Sequence, residues 1–114
     1  MSACPDPTLT DGLRPYPTRA ILMPDGKVIV RYTPIPMADI TAIICDPHPE
    51  LPRSLTTINL RDGHVMLCHD MGHLATPPLA HNAAATTAYH AVCVPGTTHT
   101  IVGIAVIVPD EDFA

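Results

Sequence analysis

Two cysteine–histidine pairs stand out by their spacing. Cys45-x-x-His48 and His90-x-x-Cys93 are mirror images, each at a separation that lets both side chains reach one metal ion. Zinc takes four sulfur or nitrogen ligands in a tetrahedron, and two thiolates with two imidazoles suit it. Cys45, His48, His90 and Cys93 are therefore the candidate metal ligands. A zinc-stabilised module, or a metal-dependent enzyme built on them, is one reading of the chain. The competing reading is that the thiols are small apolar core groups and the imidazoles surface residues. Cys68, His69 and His73 form a third cluster, with His64 upstream. On a strand, adjacent Cys68 and His69 would point to opposite faces, so they could not work as nucleophile and base.

A second constellation is polar. Asn82 precedes a run of alanines and threonines and is a good N-cap, its side chain accepting from a free N–H of the first turn. Asn82, Thr86 and Tyr89 could then line a pocket at a helix N-terminus, a natural place for an anionic ligand. The alternative is a structural cap with an exposed helix face behind it. Other chemistries lack their motifs. The six glycines are spread singly and fit no phosphate-binding loop. Asp62 is explained by a turn, and Asp110, Glu111 and Asp112 read as a solvated tail.

The elements that would position these residues follow from pattern and punctuation. Residues 19–23 read as a strand, Pro24-Asp25-Gly26 as a tight turn, and 27–33 as a return strand with Val28, Val30 and Tyr32 on one face. Met37, Ile40, Ile43 and Ile44 recur at helical spacing, which predicts a short helix over 36–44 with Pro36 in its first turn. A second hairpin is expected from 54 to 68, turning at Asp62-Gly63. A second helix is expected from Asn82 to about His90. The run 98–108, apolar on both faces, predicts a long central buried strand. Gly103 within it marks a bulge or a close backbone approach. The order is ββ-α-ββ-α-β. It defines a small single α+β domain of about five strands in a mixed or antiparallel sheet, with two short helices. Its boundaries are a Pro-rich N-terminal arm over 1–18, the domain over 19–109, and an acidic C-terminal tail over 110–114.

Composition limits the partners. The chain has 114 residues, a formal charge of −5 and only six Lys and Arg. The single lysine is Lys27, and the arginines do not cluster. A protein that grips phosphates by charge carries a basic patch, so direct nucleic-acid binding is not expected. No stretch approaches the roughly 18 uninterrupted apolar residues of a membrane span. The opening MSACPDPTLTDG has neither a basic nor an apolar leader region, so a cytoplasmic protein with reduced cysteines is expected. With one Phe, three Tyr and no Trp, the core must be built from Ile, Val, Leu, Met and Ala. Some apolar surface is expected to remain for a partner.

The segments LRDGHVMLCHDMGHL, PLAHNAAATTAY and GTTHTIVGIAVIV, in that order, resemble the domain of unknown function 3846, over roughly residues 19–109. Gly72, Asn82 and Gly103 sit where that pattern has them, whereas His69 and Met71 depart from it. The resemblance implies a short accessory protein of a bacterium, plasmid or phage that binds rather than catalyses. The expected function is accordingly a non-enzymatic binding or regulatory protein. It would occupy a host protein or sequester a small-molecule ligand, with counter-defence as one such role. A structural homo-oligomer is a further alternative.

Overall fold

The computed structural model describes residues 19–60 and 63–113. The Pro-rich arm over 1–18 and the Asp62 half of the second turn lie outside the described residues. Five strands and two helices follow one another in the expected order. They are β1 (Arg19–Leu22), β2 (Val28–Arg31), α1 (Met37–Cys45), β3 (Leu55–Asn59), β4 (His64–His69), α2 (Ala83–His90) and β5 (Ala105–Pro109). The strands form one sheet in the order β2-β1-β5-β4-β3, and each neighbouring pair is antiparallel.

The turns that set the hairpins are chemical. In the first, Gly26 takes φ +97°, its N–H donates to the Met23 carbonyl, and Asp25 accepts the Lys27 N–H at 2.9 Å. Gly63 closes the second with φ +73°. Only glycine adopts such angles without steric cost. Helix α1 starts one residue later than its pattern suggests, because Pro36 is the cap rather than the first helical residue. Its carbonyl accepts from Asp39 and Ile40.

Both faces of the sheet are covered. Alternation along β4 and β5 sends Leu67, Val106 and Val108 to one side, where Ile40, Ile44 and Cys45 of α1 pack on them. Met66, Cys68 and Ala105 go to the other side, under Ala85 of α2 and Ile101. The connections produce this arrangement: α1 runs from the edge strand β2 to the opposite edge β3 across one face, and α2 joins β4 to β5 across the other.

Three features differ from the sequence expectation. The long strand over 98–108 is not continuous: the ladder is confined to Ala105–Pro109. Gly103 sits at φ +79° and breaks the ladder, and Val102 makes only an isolated bridge to His81. Residue 103 is also a close approach, since a Cβ there would lie 3.0 Å from Leu79 Cδ1. Strand β2 alternates as expected, but among the described residues neither face of it is covered, and all four of its residues are exposed. The acidic tail is not loose. Residues Asp110–Phe113 form a 3-10 turn, and Asp112 takes a bidentate grip on Arg19, at 2.6 Å and 3.0 Å.

That ion pair is largely shielded, the two side chains being 6% and 13% exposed. Removing one partner leaves a desolvated charge behind. Arg19→Met should therefore lower the free energy of unfolding by about 3 kcal/mol, measured by urea denaturation, with Asp112→Asn acting in the same direction. A loss no larger than that of a surface ion pair would show that the tail does not clamp β1.

Candidate functional site

The four proposed metal ligands are not brought together. Cys45 ends α1 and is buried in the core on that side of the sheet, with His48 just beyond it. His90 ends α2, and Cys93 follows it, on the other side. The sheet stands between the two pairs. Among the described residues no group of three or more His, Cys, Asp or Glu could hold a metal ion. Cys-x-x-His spacing fails here because each pair closes a different helix, and the helices lie on opposite faces. His90 instead joins its Nε2 to the His99 carbonyl at 2.6 Å. Cys45, Cys68 and Cys93 are free thiols.

The polar pocket at the start of α2 is filled by the protein itself. Asn82 is fully buried. Its Oδ1 accepts the Ala85 N–H at 3.1 Å, and its Nδ2 donates to the Leu22 and Gly103 carbonyls, each at 2.9 Å. Thr86 accepts the Ile101 N–H at 2.9 Å. Asn82 and Thr86 are therefore structural, and only Tyr89 of that trio faces a cavity.

Tyr89 lines a cleft of about 390 Å³ on the α2 side of the sheet. Ile58 and Cys68 supply its apolar floor, and Ile101 and Val102 one wall. His73, His99, Thr100 and Asp70 add polar groups. The rings are gathered: His73 and His99 have centroids 4.7 Å apart, and Tyr89 meets His99 edge-on at 5.9 Å. His73 Nε2 donates to the Thr100 carbonyl at 2.6 Å, which leaves Nδ1 as the acceptor. A hydrogen bond with Cys93, aided by burial, raises the Tyr89 hydroxyl above the ordinary phenol value. Burial, with Asp70 nearby, pushes the Cys68 thiol up to about 11, so it is protonated at neutral pH and is not a nucleophile. Asp70 accepts the Ser54 hydroxyl at 3.1 Å.

His99 and Thr100 went unseen in the sequence because residues 98–101 read as part of a strand. In the fold they form an irregular segment that delivers both to the cleft. His73 was visible in the third Cys/His cluster, but with metal rather than pocket chemistry in view.

His69, the neighbour of Cys68, is 5% exposed and lies on the face opposite it, edge-on to His48 at 6.2 Å. Its Nδ1 accepts the Met71 N–H at 3.0 Å, so the neutral ring carries its proton on Nε2, and that atom has no partner among the described residues. Burial first, then His48, lowers its pKa. The unfolded chain therefore binds a proton more readily than the folded one. Stability should fall as pH drops from about 7 to about 5, through the unfolded-state value toward the depressed folded one. His69→Gln should flatten that part of the urea midpoint–pH curve; an unaltered slope would assign it to other groups.

Comparison with family models, curated proteins and solved structures finds no match to this chain.

Proposed function

We propose that this protein is a non-enzymatic binding module that takes a small-molecule ligand in the cleft beside Tyr89. The observation that carries the reading is the composition of that cleft: an apolar floor and wall with a few convergent polar groups, the usual make-up of a small-molecule site. Acceptors stand out among those groups. Asp70 supplies carboxylate oxygens, and in the tautomer that donates Nε2–H to the Thr100 carbonyl His73 offers Nδ1 as an acceptor. They favour a compact, largely apolar ligand that carries N–H donors, such as an aromatic amine. The protonated Cys68 thiol supports binding over covalent chemistry.

In this reading the chain is a cytoplasmic accessory protein of a phage or mobile element, in keeping with its resemblance to the domain of unknown function 3846. It would act by sequestering its ligand, with counter-defence as one setting for that activity.

Benzylamine and indole serve as probes, followed by two-dimensional amide NMR. Both should shift resonances around Tyr89, Thr100 and Ile101, and Tyr89→Ala should weaken both. Asp70→Asn should weaken benzylamine alone, by about tenfold, the cost of one charge-assisted contact. The absence of localised shifts at millimolar probe would sink the proposal.

A further inference from the structure

The His69 ring lies on the α1 face of the sheet, and its hydrogen bond reaches the cleft on the other face through the backbone. Nδ1 accepts the Met71 N–H at 3.0 Å, across Asp70, and Nε2 has no partner among the described residues. A side-chain acceptor two residues before an amide closes a tight turn, as Asn and Asp do elsewhere. Asp70, inside that turn, lines the cleft.

The turn continues into the rim. The Met71 carbonyl accepts the Leu74 N–H at 3.0 Å, and Gly72 is buried so close to Val102 that a Cβ would lie 2.8 Å from Cγ2. His73 then reaches the Thr100 carbonyl at 2.6 Å. Asp70, His73, Leu74, Thr100 and Val102 all border the cleft. The His69–Met71 bond therefore stands at the root of the segment that forms one side of it.

That bond exists only while the ring is neutral. A proton on Nδ1 turns the acceptor into a second N–H, since both nitrogens of an imidazolium donate. Two donors then face each other where one hydrogen bond had been. His48 and Glu50, from the loop after α1, and Asp70, at the end of its own strand, act on the ring. Leu55, its partner on β3, is uncharged. Cys45, at the end of α1, is kept as a thiol by burial, and Asp46 and Arg53 are paired with each other. Burial and His48 outweigh the two carboxylates, so the ring takes its proton only in the acid range.

We propose that His69 is a proton-operated latch for the cleft, an inference that rests on the ligand reading given above. With the ring neutral, the 70–74 turn is closed and the cleft holds its ligand. A proton at Nδ1 breaks the bond to Met71, loosens the turn and lets the ligand go. Linkage is reciprocal, so bound ligand makes His69 harder to protonate.

Amide and histidine-ring NMR of the full chain, from about pH 7.5 to about pH 5, tests this across the range where imidazoles titrate. Without ligand, the Met71, Gly72, His73 and Leu74 amides should move with the midpoint of the His69 ring. Indole does not titrate in this range, and its Kd should rise at least about fivefold on acidification, the lower end of ordinary coupling between sites. His69→Asn keeps an acceptor for the Met71 amide and cannot take the proton, so it should lose most of that rise. His73 and His99 still titrate in this variant. A rise that persists in it assigns the effect to them and overturns the latch. Amides of the 70–74 turn that ignore the His69 midpoint overturn it as well. A turn that follows His69 in a chain that binds no indole at any pH supports the latch and strikes the ligand reading instead.

Discussion

The buried amide of Asn82 is the interaction on which the architecture turns. One side chain caps α2, accepts from its first turn, and donates to carbonyls on β1 and at Gly103. Both carbonyls lie where the β1–β5 ladder ends, at the Leu22–Ala105 pair and just before it. The positive φ at Gly103 turns the backbone out of the ladder, and the Gly103 carbonyl is taken up by the Asn82 amide instead. A carbonyl orphaned in the core costs as much as a lost hydrogen bond. Asn fits the position because it offers one acceptor and two donors on a short, planar group. The adjoining chain reinforces the arrangement: Asn82 N–H donates to the Ile101 carbonyl, and Gly103 N–H to Ala80.

Around that clamp the fold is a sheet with a helix on each face, made of small aliphatic residues. Packing of this kind depends on close interdigitation rather than on large rings. The two glycines nearest the clamp show how tight it is. A Cβ on Gly72 would lie 2.8 Å from Val102 Cγ2, and one on Gly103 would press on Leu79. The Arg19–Asp112 pair closes the opposite end of β1, so the strand next to the outermost β2 is held at both ends by side chains far away in sequence.

Much of this was readable from local chemistry. Asp25-Gly26, the proline before α1 and the Asn cap of α2 each act within a few residues, and the helices and first strands fall within two residues of their sequence limits. What was not readable depends on contacts distant in sequence. Residues 98–102 have strand composition, but Asn82 and Thr86 take up the Ile101 backbone that a ladder would have used. The Asp110–Asp112 run looks solvated until Arg19 is placed beside it. The candidate site fared worse for the same reason. Cys-x-x-His spacing reports that two side chains can converge, not that two such pairs share a face. The cleft draws on β3, β4, the end of α2 and the 98–102 segment, which no single window of sequence joins.

Ile101 belongs to two structures at once. Its side chain forms part of the cleft wall and of the core under α2, and its amide and carbonyl are fixed by Thr86 and Asn82. That wall is consequently rigid before anything enters, whereas His73, Leu74 and His99 at the mouth are exposed. Shape selection falls to the inner wall and adaptation to the rim. Little ordering entropy remains to be lost deep in the cleft, and a guest that fits it meets a surface held in place by the same hydrogen bonds that hold the sheet together.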